Sequence, residues 1–232
     1  HSFTSRQRNI AMRQDISRYT QELATGQISD VRQILAGNYS YLTDIERKLD
    51  ILEGYSVATT EATHFLDATQ AVIGGLSAAT QDLTNSLLTA EIAAQGSADT
   101  GIPREAWNVL DEMIGRLNTE VAGRFLLSGT ATDQAPLADI ATLLDGARVA
   151  MAGATTAADM RAAADIWFND PAGFAATMYQ GSDDDLAPFS LSETDKVTLD
   201  LKATDPDIRQ ILKLVTLTAL SGDPAFSLSD EQ

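Results

Sequence analysis

A mainly α-helical fold is predicted for this chain: an elongated antiparallel helical-bundle rod with a small inserted α+β domain. The first proline is Pro103, so 102 residues precede the first residue that would break a helix. Apolar residues recur every three or four positions through most of that length, which is the spacing of one helix face. After Pro136 the chain becomes rich in alanine and mixes short helical with alternating segments, which indicates a different domain.

The N-terminal part is expected to be mostly one long helix. A first helix is predicted over residues 5–23, and residues 24–30 interrupt it with a glycine that suits a helix C-terminus. The long helix then runs over about 29–95, and at ~1.5 Å per residue it would be on the order of 100 Å long. A helix of that length indicates a part of an assembly.

The next elements complete a helical rod domain over residues 1–134. Residues 96–101 form a turn, and Pro103 suits the first turn of a second helix over about 103–121. Two helices joined by so short a turn pack antiparallel. A short hairpin is predicted after Gly123.

Residues 135–222 are predicted to form the inserted α+β domain. Its helices are expected at 140–152, 157–168 and 208–220, and its strands at 174–179, 189–191 and 197–202. Ser229 and Gln232 have the spacing of a capping box, so residues 223–232 are expected to begin a truncated C-terminal helix that returns along the rod.

Charge and composition exclude several classes of function. The formal net charge is −17; residues 1–52 carry seven Lys or Arg against six Asp or Glu, and residues 53–232 carry nine against twenty-seven. Because such a field repels phosphate, neither nucleic acid nor membrane is expected as a partner. The chain contains no cysteine, which excludes disulfides and thiolate metal sites.

No catalytic or metal-binding constellation stands out. His64 lies alone on the long helix, and Ser77 lacks the second glycine of a nucleophile elbow. Asp183, Asp184 and Asp185 are adjacent rather than alternating, so a solvated loop is expected there instead of a calcium site. The chain is therefore predicted not to be an enzyme and to use no cofactor or metal.

The candidate functional feature is an apolar stripe along the helices. It forms either an ordinary core within the chain or a surface partly covered by another subunit. Seven threonines of the long helix favour stabilisation by neighbours, since threonine weakens an isolated helix. The residues predicted to pack in this apolar stripe are Leu42, Ile45, Leu49, Leu52, Tyr55, Phe65, Val72, Leu76, Leu83, Leu87, Trp107, Leu110, Ile114 and Leu117.

Two segments resemble the bacterial flagellin superfamily. The stretch ELATGQISD at 22–30 is similar to the junction between the first two helices of that superfamily. The stretch AGRFLLSGTATDQAPL at 122–137 resembles the GRY-F-(S/A)G-x-x-T-x-x-P motif of its hook–filament junction members, with Phe125 in place of the tyrosine and Leu127 in place of the phenylalanine. Met178 to Gly181, followed by an acidic turn, is similar to their inserted domain.

The resemblance implies a structural protein of the bacterial flagellum, with a rod like the flagellin D1 domain. It implies secretion through the flagellar export apparatus, with an export chaperone, to an extracellular location. It also implies self-association in a ring at the hook tip, with hook protein, the second junction protein and flagellin as partners. The alternatives are flagellin itself and a secreted helical binding module or adaptor.

Overall fold

A computed structural model describes residues 2–25, 39–93 and 101–226 of the 232-residue chain. The described part is mainly helical, which confirms the predicted class. Contacts divide the chain into two compact units, residues 1–54 and 55–232, which are treated separately below.

The first unit consists of helix α1 (Ser2–Thr25) and the start of helix α2 (Ser40–Ala93). The helix predicted over 5–23 is confirmed. Helix α2 is 54 residues long and begins at Ser40 rather than at residue 29. Several predictions concern residues that the structure does not describe. They are most of the break at 24–30, the start of the long helix from residue 29, and the turn at 96–101 except Gly101.

The second unit continues with helix α3 (Ile102–Leu117) and a two-stranded hairpin, β1 (Glu120–Val121) and β2 (Arg124–Phe125). The hairpin is antiparallel, with Glu120 opposite Phe125 and Val121 opposite Arg124. Its two turn residues, Ala122 and Gly123, both have positive φ, at 51° and 79°. Such values suit the tight turn of a two-residue hairpin.

Helix α3 ends four residues before its predicted end at 121, because the side chain of Asn118 diverts the chain. Its amide donates to the carbonyl of Leu137 at 2.9 Å and accepts from the Leu137 N–H at 2.9 Å. Asn118 therefore acts like one residue of a strand towards Leu137. The hairpin starts two residues later, earlier than the predicted position after Gly123.

Helices α4 (Ile140–Met151) and α5 (Ala157–Asn169) lie where the sequence predicts them. The side chain of Asp139 accepts from the N–H of Thr142 at the start of α4. Thr156 and Asp159 form a reciprocal capping box at the start of α5. These two polar side chains fix the residues at which α4 and α5 begin.

The strand predicted at 174–179 is wrong. A kinked segment (Pro171–Ala175), with non-helical dihedral angles at Gly173, leads there into a single helical turn, α6 (Ala176–Met178). Phe174 and Met178 are both fully buried while Ala176 is exposed, which suits a helical turn, because in a strand all three would lie on one face.

A second two-stranded pair, β3 (Phe189–Ser190) with β4 (Lys196–Val197), precedes the last described helix, α7 (Pro206–Leu220). Of the strand predicted at 197–202, only Val197 lies in a strand, which begins one residue earlier at Lys196. Beyond it, the N–H of Ala203 donates to the carbonyl of Leu127 at 3.1 Å, so this segment is tied to a loop instead of a neighbouring strand.

One buried cluster fills the second unit. It joins apolar residues of α2 and α3 with those of α4, α5 and α7, and it includes Leu126, Leu127 and Leu137 on both sides of position 134. The described core therefore continues across the predicted boundary between a rod domain and an inserted domain. The division into three domains stays a prediction.

Candidate interaction surface

The predicted apolar stripe is half covered within the described structure. Its members differ in exposure according to where they lie along the chain, and five of the fourteen are exposed. The buried members are Phe65, Val72, Leu76, Leu83, Leu110, Ile114 and Leu117, the half-buried members are Leu42 and Tyr55, and the exposed members are Ile45, Leu49, Leu52, Leu87 and Trp107.

In the second unit, contacts from other elements cover the α2 stripe. The ring of Phe65 lies 6.2 Å from that of Phe189 in strand β3, and Val72, Leu76 and Leu83 belong to the main core. Near the other end of α2, the hydroxyl of Ser86 donates to a Glu105 carboxylate oxygen at 2.6 Å, which links α2 to the first turn of α3.

The hairpin also contacts α2. The guanidinium of Arg124 pairs with Glu61 at 2.5 Å and lies 5.9 Å above the ring of Phe65. A groove of about 390 Å³ lies beside this contact, and His64 forms part of its wall. Sequence reasoning missed this ion pair, because 63 residues separate its partners.

In the first unit the stripe is open. Leu49 is 59% exposed and Leu52 is 61% exposed, while Ile45 is 37% exposed. They follow Leu42 at intervals of three, four and three residues, which is the spacing of a coiled-coil seam. An uncovered seam with this regular spacing has the form of a docking surface for another helix.

Charged residues flank this open stretch. Asp44 accepts from Arg47 and pairs with Lys48, both at 2.9 Å. The hydrogen bond from Arg47, followed by the one from Lys48, lowers the pKa of the Asp44 carboxyl. These pairs are formed within one helix turn, so the apolar edge remains available.

The threonines of α2 form bonds within their own helix. The hydroxyls of Thr59, Thr60, Thr63, Thr69, Thr80, Thr84 and Thr89 each donate to the carbonyl four residues earlier, at 2.7–2.9 Å. Each hydroxyl therefore has a partner without leaving the helix surface. A neighbouring helix could pack on the methyl groups of these threonines without leaving a hydroxyl donor unpaired.

The residues considered for chemistry are not brought together. His64 and Ser77 are both exposed, and Ser77 accepts only a weak 3.4 Å bond from Gln81. The Asp183–Asp185 loop is held by Lys202, whose ammonium pairs with Asp185 at 2.6 Å and donates to the carbonyl of Asp183 at 2.5 Å.

Within residues 2–25, 39–93 and 101–226, no group of three or more potential metal ligands occurs. Over the same residues, no helix is both long and apolar enough to cross a membrane.

Two larger grooves of the second unit were not foreseen. One, of about 790 Å³, lies between α2 and the start of α7, with Ile73, Leu76, Ile208 and Ile211 in its wall. The other, of about 580 Å³, lies between the start of α3, helix α4 and the end of α7, beside Trp107. Both are formed by residues distant in sequence, so no local pattern could reveal them.

Comparison with known proteins gives no relative: no family model, no curated protein and no solved structure matches this chain.

Proposed function

We propose that this chain is a structural protein of the bacterial flagellum that assembles at the hook tip and adapts hook to filament, as hook-associated protein 3 does. The observation that carries the proposal is the uncovered stretch of α2, where Ile45, Leu49 and Leu52 form an apolar edge on a 54-residue helix. Another helix could cover such an edge, as in a coiled coil. The motif resemblance at 122–137 supports the flagellar setting.

The role is mechanical rather than chemical. Long helices resist bending because each turn is hydrogen-bonded to the next, so they transmit load along their axes. Burial of the stripe on assembly contributes roughly 25 cal/mol per Å² of apolar surface removed from water. The chain would be exported with a chaperone, assemble as a ring outside the cell, and bind the second junction protein, hook protein and flagellin.

The acidic surface suits this role. In the second unit most charges are negative, and most of the described carboxylates lie on exposed side chains. Like charges keep unassembled subunits apart in solution, and the apolar stripe supplies the attraction once subunits are aligned.

Binding of the chain to purified hook protein, the second junction protein and flagellin tests the proposal. We expect binding to the second junction protein, and loss of that binding when Leu49→Asp and Leu52→Asp are combined. Val149→Asp serves as the matched control, because Val149 is 79% exposed on α4 and lies outside the stripe.

Absence of binding to every flagellar protein would contradict the proposal and favour a secreted adaptor. Filaments that grow from this protein alone would instead identify it as flagellin.

A further inference from the structure

We propose that helix α1 of one copy of this chain docks in the groove between α2 and α7 of a second copy. The contact specifies the self-association proposed above and rests on that proposed function. Three observations carry it: an uncovered apolar stripe on a basic helix, an apolar groove with an acidic end, and threonines in the groove wall whose hydroxyls are already paired.

Helix α1 carries an apolar stripe that is exposed along its length. Its members recur at intervals of four, three and four residues, which places them on one face of the helix. They are between 59% and 89% exposed. Apolar side chains spaced in this way are the anchors of a helix that binds in a groove. The members of the stripe are Met12, Ile16, Tyr19 and Leu23.

The same helix is basic. It carries four arginines against Asp15 and Glu22. Arg18 is already engaged, since its guanidinium pairs with Asp15 at 3.3 Å. Arg8 lies four residues before Met12 on the face of the stripe and has no ion pair within the described residues. An unpaired guanidinium therefore stands at one end of the apolar stripe.

The groove is apolar along its floor and acidic at one end. Its apolar wall contains Leu76 and Ile208, which are buried, and Ile73, which is 45% exposed. Asp205 and Asp207 line the end at the start of α7, and no Lys or Arg of the described residues lines the groove. An exposed isoleucine inside an apolar space of about 790 Å³ is a position where a side chain of another helix would gain contact.

This groove lies away from the gaps in the described chain. Its lining residues fall within 73–85 and 201–211, and residues 86–93 of α2 separate it from the gap that follows them. Gly222, just beyond α7, lies against Pro103 at the start of α3. The described chain therefore leaves α7 at the end opposite to the groove and does not cover it.

The acidic end of the groove favours a cation. Burial, followed by repulsion from neighbouring carboxylates that include Asp207, raises the pKa of the Asp205 carboxyl. The nearby ammonium of Lys202 is paired with Asp185 at 2.6 Å. Arg8 of a docked α1 would therefore bring positive charge to a place where carboxylates repel each other.

The α2 wall of the groove can be covered without leaving a hydroxyl donor unpaired. The hydroxyls of Thr80 and Thr84 donate to the carbonyls of Leu76 and Thr80 at 2.7 Å and 2.8 Å. Because burial is costly only for polar groups that lose their partners, the methyl groups of these threonines can pack against the stripe of α1. Gln81 and Asn85 are exposed and can keep their contact with water.

Helix α1 and the groove are different surfaces, so the contact can repeat from copy to copy. A repeated head-to-tail contact gives a ring when the rotation closes. The docking of α1 would thus supply the ring contact that the proposed function requires.

Substitutions on matched faces test the docking by sedimentation of the full chain. Ile16→Asp in α1 and Ile73→Asp in the groove should each weaken self-association about tenfold or more, because a charge would enter an apolar contact. Ile10→Asp and Val57→Asp are the controls, at exposed positions on the opposite faces of α1 and α2, and should leave it unchanged. Circular dichroism should show the natural helix content in all four variants, since all four side chains are exposed.

Charge exchange tests the acidic end of the groove. Arg8→Asp should weaken self-association, and combining it with Asp207→Arg should restore association, because the pair is re-formed with its signs exchanged.

Disulfide cross-linking locates the contact, because the natural chain has no cysteine. One preparation carries Ile16→Cys and the other carries Ser77→Cys, at an exposed position in the groove. When the two are mixed under mild oxidation, we expect the mixed disulfide to form severalfold faster than in a control mixture of Ile10→Cys with Ser77→Cys.

Three results would overturn the inference: a natural chain that stays monomeric at every concentration, equal cross-linking rates in the two mixtures, or no restoration in the charge-exchanged variant. A chain with both Ile16→Cys and Ser77→Cys adds a further check. Cross-linking within that chain, at a rate independent of protein concentration, would place α1 in the groove of its own chain and would also overturn it.

Failure of this contact can be told apart from failure of the flagellar assignment. If α1 does not dock while the second junction protein still binds, only the groove contact is wrong. If α1 docks while no flagellar protein binds, the groove contact stands and the flagellar assignment is wrong.

Discussion

At the scale of single residues, helix α7 packs three polar side chains, Arg209, Lys213 and Thr216, against the rest of the second unit. Lys213 is 7% exposed and pairs with Asp165 on α5, and Arg209 donates through Nη1 to the carbonyl of Phe168 at 2.7 Å. Thr216 is fully buried, and its hydroxyl has no hydrogen-bond partner among the residues that the structure describes. A buried donor without a partner lowers the stability of the fold.

Replacing Thr216 by valine is expected to stabilise the protein by about 1 kcal/mol, because the two side chains have nearly the same volume and the unpaired hydroxyl is removed. The free energy of unfolding in urea measures the effect. Thr218→Val is the control, since the Thr218 hydroxyl donates to the Leu214 carbonyl at 3.0 Å and little gain is expected there. A loss of stability in Thr216→Val would show that this hydroxyl has a partner.

The surroundings of Tyr179 shift the ionisation of its phenol, which can be followed by titration. Burial, followed by the charges of Asp183 and Asp205, raises the pKa of its phenol to about 12 from 10.0. In the folded state its hydroxyl donates to the carbonyl of Ser182 at 2.9 Å.

Because the folded pKa of Tyr179 lies above the unfolded value, the unfolded chain releases this proton first as the pH rises. Stability from this group is therefore present below pH 10 and is lost between about pH 10 and 12. Ultraviolet titration of phenolate absorbance should show a step near pH 12 that is missing from Tyr179→Phe. A natural protein without that step would contradict the burial of this phenol.

At the scale of elements, polar side chains set the starts of helices α4 and α5. The hydroxyl of Thr156 accepts from the N–H of Asp159 at 3.1 Å, and the Asp159 carboxylate accepts from the N–H of Thr156 at 3.2 Å. Hydrogen bonding with the side chain of Thr156, followed by that of Thr155, lowers the pKa of the Asp159 carboxyl. Helix α5 therefore starts at a fixed residue.

Thr156→Ala should destabilise the protein by about 1 kcal/mol, since the first turn of α5 loses its N-terminal hydrogen bond. Thermal melting followed by circular dichroism is a suitable measurement. Ile166→Ala is a matched control on the same helix, because Ile166 is 68% exposed. Equal melting temperatures for Thr156→Ala and the natural protein would mean that the capping box does not hold the helix end.

Element boundaries show what local sequence can and cannot predict. Helices α4 and α5 were predicted to within a residue from their alanine-rich sequences, and the structure adds the caps Asp139 and Thr156 that fix where they begin. The turn at 174–178 was misread as a strand because a segment of six residues satisfies both periodicities. The early end of α3 was missed because it depends on Asn118 bonding to Leu137, nineteen residues away.

At the scale of the whole molecule, the exposed fraction of the side chains distinguishes core positions from surface positions on helix α2. Leu76 is 3% exposed in the core of the second unit, whereas Leu49 is 59% exposed in the first unit. Leu66 is half-buried between these extremes. The three leucines therefore distinguish core packing from surface available to a partner.

Leu76→Asp is expected to cost about 3–5 kcal/mol, because it places an unpaired charge in the core. Leu66→Asp should cost less, and Leu49→Asp should change stability by no more than about 0.5 kcal/mol in the isolated chain. Urea unfolding of the three variants measures the order. A large loss of stability in Leu49→Asp would mean that the isolated chain already covers that edge.

The sequence by itself determined the helical class, the long α2 and the positions of most short helices. The three- and four-residue spacing of apolar side chains and the polar caps are local properties, readable without a fold. Composition also determined the acidic surface, and the lack of cysteine excluded disulfides.

Tertiary structure alone decided which parts of the apolar stripe are covered. Leu49 and Leu76 satisfy the same periodic pattern, yet Leu76 is buried in the core and Leu49 is 59% exposed, because burial depends on which distant segments the fold places beside each residue. For the same reason, only the folded chain brings Trp107, Arg148 and Leu220 to one groove and ties Lys202 to the acidic loop. Contacts between residues far apart in sequence leave no periodic signal.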